Sequence, residues 1–220
     1  EALELLLCDD FMEARTPARL LNELNTKRRA EEDRILQEAL EQAEEQAHLP
    51  GLVLASEGWH PGVIGIVASR VVERYYRPTF ILNCEDGAAT GSGRSISEVD
   101  LHKAISTCSH LFTRFGGHRQ AAGLSMDADK VDAFRDGFNQ AIVEQIGEKL
   151  LTARQNIDME LPFSLINFTL LKELEMLQPF GPSNPEPVFA SPVVRVQEHR
   201  VFGRGRDHVL LKLRDEEACV

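Results

Sequence analysis

The sequence predicts an α/β protein with a long helix ahead of the α/β domain and a partial β segment behind it. Three observations predict it. Nothing breaks a helix from Thr16 to Ala47. Strand-like and helix-like patterns then alternate across residues 50–148. Finally, five of the ten prolines fall within residues 179–192, followed by two alternating stretches around Gly203-Arg204-Gly205-Arg206-Asp207.

The first part, residues 1–49, is read as a connecting helical segment. Thr16-Pro17 supplies a hydroxyl cap with Pro at the first helical position. Leu20, Leu21, Leu24, Ile35, Leu36, Ala39, Leu40, Ala43 and Ala47 then form a loose apolar stripe. A helix of that extent is a rod of roughly 45 Å, longer than a compact domain of this size buries. It is expected to lead in from a domain upstream of Glu1, an expectation that fits a chain opening without Met.

Leu49-Pro50-Gly51 ends the rod and opens the second part, residues 50–148. Strands are expected at 51–56, 79–83, 88–93 and 121–126. Helices are expected from Pro61 to about Tyr76, from Asp100 to about His110, and after a cap at Asp127 or Asp129. The third part, residues 149–220, begins with a mixed segment up to Leu177. The prolines Pro179, Pro182, Pro185, Pro187 and Pro192 exclude regular structure and suggest a stiff packed strap. Residues 193–202 and 208–213 read as a β-hairpin, which is not stable alone and is expected to need further strands.

Charge excludes one class and locates another. With 24 basic and 35 acidic residues the net charge is −11, so the chain does not hold nucleic acid through bulk positive charge. Residues 1–49 hold 6 basic and 13 acidic groups, residues 50–126 hold 7 and 6, and residues 193–214 hold 6 and 2. Acid sits on the helices, and base gathers in two stretches. Apolar runs such as 63–68 are far shorter than the roughly 20 residues that span a bilayer, so no membrane is expected. Cys8, Cys84, Cys108 and Cys219 lack C-x-x-C or zinc-like spacing and fit a reducing cytoplasm. No metal site and no activated nucleophile is legible, so no catalytic residue is assigned.

Two glycine-bearing loops carry the chemistry. Gly91-Ser92-Gly93-Arg94-Ser95 combines close backbone approach, hydroxyl donors at Ser92 and Ser95, and a guanidinium that can fork onto phosphate. A plain solvated turn has the same composition. In Phe115-Gly116-Gly117-His118-Arg119-Gln120-Ala121-Ala122-Gly123, Gly116 and Gly117 precede an imidazole, with small residues behind it. A tight turn with a surface His118 is the alternative. Trp59 and His60, in Glu57-Gly58-Trp59-His60-Pro61-Gly62, suit base stacking and phosphate donation, or else a core Trp at a strand-to-helix turn. Arg70 is a phosphate contact or one of the surface arginines with Arg74 and Arg77; His102 and His110 have no motif around them.

Residues 58–70, 91–95, 115–123 and 177–187 together resemble the RecJ family of single-stranded-DNA-specific exonucleases, in the DHH phosphoesterase superfamily. The G-G-H-x-x-A-A-G element is shared across DHH-associated domains, whereas W-H-x-G-V-x-G-I-x-A-S-R and the proline strap are particular to RecJ. The resemblance covers the connecting helix, the α/β DHH-associated domain with its mixed sheet, and the start of an oligonucleotide-binding (OB) barrel.

It implies 5′→3′ hydrolysis of single-stranded DNA in recombination and repair, using Mn or Mg ions held by a domain this sequence does not contain. The fragment alone is then expected to be inactive and to need no cofactor of its own. By the resemblance, Arg94, Ser92, Ser95 and His118 grip the DNA backbone, and the hairpin arginines Arg200, Arg204 and Arg206 track the strand. Single-stranded DNA is the expected partner, with a single-strand-binding protein or a helicase as candidate protein partners. Two other readings are an oligoribonuclease or cyclic-dinucleotide phosphodiesterase of the same superfamily, which the hairpin disfavours, and a non-catalytic nucleic-acid-binding module.

Overall fold

The computed structural model describes residues 2–147, 151–203 and 205–215, and the chain forms two compact units, Glu1–Ala153 and Arg154–Val220. The first unit opens with a short helix, α1 (Ala2–Leu6), and a 35-residue helix, α2 (Phe11–Glu45). The helix begins earlier than Thr16-Pro17 predicts. Asp10 is the cap: its carboxylate accepts from the amides of Met12 at 2.6 Å and Glu13 at 3.1 Å. Pro17 lies inside the helix, where its missing N–H forfeits one backbone bond without ending the run.

The C-terminal half of α2 is packed rather than free. Ile35, Ala39 and Ala43 are fully buried at helical spacing against α3 (Pro61–Tyr75), which presents Val63, Ile64, Val67, Ala68 and Val71. Two glutamines also cover an exposed sheet edge. In β1 (Leu52–Ser56), Ala55 exchanges two 3.1 Å hydrogen bonds with the Gln42 amide, and Val53 exchanges two of 3.2 Å with that of Gln46. The side-chain amides thus take the place of a neighbouring strand.

The sheet continues with β2 (Thr79–Glu85), β3 (Ala88–Arg94), β4 (Phe112–Gly117) and β5 (Ala121–Asp127), in spatial order β1-β2-β3-β5-β4. Only β1 and β2 run parallel, so the sheet is mixed. One face packs on α4 (Leu101–Thr107) and α5 (Val131–Ile146) around Phe80, Phe134 and Phe138, whose rings lie 5.3–5.6 Å apart. The other face is covered by α3 over β2 and β3.

Two local expectations change. Phe112–Gly117, which overlaps the expected glycine-bearing loop from Phe115 and follows the helix expected to end near His110, is an edge strand, because Phe112 packs on Phe134 while Gly116 and Gly117 pair with β5. Neither Asp127 nor Asp129 caps α5: a short 3₁₀ turn intervenes, and Asp127 pairs with Lys130 at 2.6 Å.

In the second unit, β6 (Met159–Glu160) pairs parallel with a strand inside the proline-rich segment, β7 (Phe189–Ala190). That segment therefore holds a little regular structure after all. Asn167 caps the intervening α6 (Phe168–Glu175), and Asn184 pins the strap by donating to the carbonyls of Leu177 and Pro179. β8 (Arg195–Phe202) and β9 (His208–Arg214) form the antiparallel hairpin that alternation predicts.

Candidate nucleic-acid interface

Strand alternation decides what Ser92 and Arg94 can do. Both point to the α3 face of β3, while Gly91 and Gly93 turn toward the aromatic core, where a Cβ on Gly93 would sit 2.5 Å from the Phe80 ring. These residues belong to the strand and not to a turn after it. Arg94 is half-buried, and its Nη1 donates to Ser92 Oγ at 3.1 Å and to the Gly93 carbonyl at 2.8 Å. Gly65 on α3 makes the room for it: a Cβ there would lie 3.0 Å from Arg94 Nη2 and 3.1 Å from Ser92 Oγ. No carboxylate pairs with Arg94 among the described residues, so its charge is uncompensated.

β5 lies between the two motifs. Arg94 is in register with Ala121, and the His118 amide donates to the Ala121 carbonyl at 2.8 Å from the other side. Two strand spacings put the backbones of β3 and β4 about 10 Å apart at that end of the sheet. Gly117 makes the turn possible: its φ is +151°, and a Cβ there would collide with the Ala121 carbonyl oxygen. Gly116 has open space around it. His118 is exposed, with Nδ1 accepting from the Gln120 amide at 3.3 Å.

The remaining expected contacts divide. The Ser95 hydroxyl donates to the Val99 carbonyl at 2.9 Å, closing the turn before α4, so it is occupied by the fold. His60 caps α3, its Nδ1 accepting from the Gly62 amide at 2.9 Å.

Trp59 cannot stack on a base: it is fully buried, its Nε1 donating to Glu38 Oε2 at 2.7 Å and its amide to Asn83 Oδ1 at 3.2 Å. Burial of the large ring against α2 outweighs any exposed role. Glu38 also accepts from Arg34, which bonds Glu31 as well; these bonds push the Arg34 guanidinium above its usual value, and the Arg34 bond draws the Glu31 carboxyl below its own.

Arg70 lies 2.8 Å from the buried Glu32 and 3.5 Å from Asp33, so its charge ties α3 to α2. Arg28 reaches Glu32 as well, at 2.6 Å. In the second unit Arg200 and Arg206 are exposed on the hairpin, whereas Arg204 lies outside the described residues.

Sequence reading passed over Arg114. It is exposed on β4, in register with Ser125, and on the same sheet face as Ser92 and Gly116. Its two-residue spacing from Gly116 would have revealed it had 112–117 been read as a strand. Among the described residues no group of three or more His, Cys, Asp or Glu side chains is arranged to hold a metal. The described residues do not fit a metal site.

Two domains match family models in chain order: a DHHA1 domain over residues 48–144 and a RecJ OB domain over residues 157–220. A DHHA1 domain with an oligonucleotide-binding-type domain after it defines the class. The chain belongs to the RecJ family.

It is 33% identical over 220 residues to the single-stranded-DNA-specific exonuclease RecJ of Bacillus subtilis (strain 168), covering 99% of this chain and 28% of that protein. Crystal structures of Thermus thermophilus RecJ in complex with Mg2+ and with Mn2+ align over 99% of this chain, at 32% and 33% identity and TM-scores of 0.80 and 0.82. The aligned part is 33% and 32% of those chains. The chain thus spans about a third of the length of the relatives it matches. No helix among the described residues is long and apolar enough to cross a membrane.

Proposed function

We propose that this chain is the substrate-holding portion of a 5′→3′ single-stranded-DNA exonuclease acting in recombination and repair. Residues 1–49 connect, residues 50–148 form the DHH-associated domain, and residues 149–220 form the strap and part of the OB barrel. The sugar–phosphate backbone lies across the end of the sheet where Arg94 and His118 flank Ala121, and that juxtaposition is the observation carrying the reading. Arg94 neutralises a phosphate, Ser92 donates to it, and the Gly116-Gly117 backbone leaves space for the chain to approach. In the barrel domain, Arg200 and Arg206 supply phosphate contacts of that domain's own.

Phosphodiester hydrolysis belongs to the complete protein, to which Mn2+ or Mg2+ would supply the means of activating water; the described residues of this chain would bind the strand and not the ion. The Mg2+ and Mn2+ complexes of Thermus RecJ support that metal class. The chain by itself binds and does not cut. The complete protein works in the cytoplasm, alongside single-strand-binding protein or helicase partners.

The test compares the complete protein with this chain on 5′- and 3′-labelled single strands, with and without Mn2+ or Mg2+. Metal-dependent loss from the 5′ end by the complete protein, with binding alone by this chain, is the expected result. Failure of the complete protein to degrade single strands with either metal overturns the assignment.

A further inference from the structure

We propose that Arg114 is a second phosphate contact, holding the single strand beyond the phosphate taken by Arg94. The inference rests on the reading that the Arg94 end of the sheet binds single-stranded DNA.

Directly opposed residues share a sheet face, so the register builds that face row by row. The first row pairs Arg94 with Ala121, the next runs Ser92, Gly123, Gly116, and the third runs Thr90, Ser125, Arg114. Among the described residues, Arg94 and Arg114 are the only cations in these five strands, and they occupy opposite corners of this one face. Helix α3 covers it over β2 and β3, but Gly123, Gly116 and Arg114 are exposed, leaving an open groove beside Arg114 that runs past Thr90 and Ser125 to the Gly123–Gly116 row, one row short of Arg94.

The groove suits a sugar–phosphate chain. Its wall carries the hydroxyls of Thr90 and Ser125, 3.4 Å apart, and the row between them and Arg94 holds only Ser92, Gly123 and Gly116 on this face. Asp127, the next carboxylate on that face, is taken by Lys130 at 2.6 Å, and no carboxylate pairs with Arg114 among the described residues. Two strand spacings across and four residues along separate the two arginine positions by roughly 17 Å. That is too far for one phosphate to bridge both, so each arginine takes its own.

Binding of an oligothymidylate of about ten nucleotides to this chain, measured against salt concentration, tests the proposal. Arg114→Gln and Arg94→Gln should each make the log-log salt slope shallower by about 0.7, and the double variant by about 1.4. Arg114→Lys should restore the slope, because lysine still neutralises a phosphate. An unchanged slope for Arg114→Gln with a reduced one for Arg94→Gln removes Arg114 from the path and leaves the Arg94 site standing. Unchanged slopes for both, or no binding by the unsubstituted chain at low salt, overturn the site itself.

Discussion

Trp59 Nε1 donates to Glu38 Oε2 across a 2.7 Å hydrogen bond, joining the turn ahead of α3 to the C-terminal third of α2. The indole is fully buried and its amide is held by Asn83 of β2, so one residue fastens helix, turn and sheet together. The long helix is thereby part of the domain's packing over half its length.

Trp59→Phe should therefore destabilise the first unit by about 1–3 kcal/mol, combining lost ring volume with a lost hydrogen bond. Thermal unfolding followed by circular dichroism measures it, and a Tm unchanged within a degree or so would show that the anchor contributes little.

Gly65→Val tests the site without altering a charge. The added Cβ would press on Arg94 Nη2 at 3.0 Å and Ser92 Oγ at 3.1 Å. Displacement of the guanidinium should weaken oligothymidylate binding several-fold, at a stability cost of about 1–3 kcal/mol for overpacking. Gly65→Ala should do less of both. Unaltered affinity for the valine variant would mean that Arg94 need not occupy this position to bind.

Glu32→Ala leaves Arg28 and Arg70 facing each other without the buried carboxylate between them. The guanidiniums are 38% and 47% exposed, so solvent screens part of the cost, which is expected at about 1–3 kcal/mol. Glu32→Gln should recover part of it through hydrogen bonding. Urea unfolding of the two variants distinguishes charge from packing.

Burial pushes the Cys108 and Cys84 thiols above their ordinary values. Both folded thiols stay protonated where unfolded ones ionise. The stability they contribute is full below the ordinary thiol value and is lost as pH rises through the folded one. At about pH 8, alkylation of Cys108, only 3% exposed, should be slow in the folded chain and fast in urea, as peptide mass mapping would show. Rapid native alkylation of Cys108 would mean that the α4–α5 packing opens readily.

Much of the element order was legible because local pattern controlled it. The runs Leu52–Ser56 and Thr79–Glu85 are short and apolar, and Pro61 with Gly62 opens a helix whose apolar spacing continues to Val71. Alternation in 195–214 marked the hairpin. What stayed hidden depended on partners remote in sequence. Phe112–Gly117 has too many glycines to read as a strand and becomes one by pairing with β5. The start of α2 turned on a choice between Asp10 and Thr16, and the Asp10 carboxylate won by reaching two free amides. Trp59 carried equal sequence support for stacking and for the core, and Glu38, twenty-one residues earlier, resolved it.

By itself the sequence determined the motifs, their order and the kind of ligand they suit, because glycine, arginine and imidazole chemistry is local to each short stretch. Only the tertiary structure decided which of those groups share a surface. Ser92, Arg94, Gly116 and Arg114 align because β5 inserts between β3 and β4 in one register, and a shift of one residue would turn each to the opposite face. Ser95, Trp59 and Arg70 carry equally suitable chemistry, but the fold commits them to a turn, a core and a helix contact.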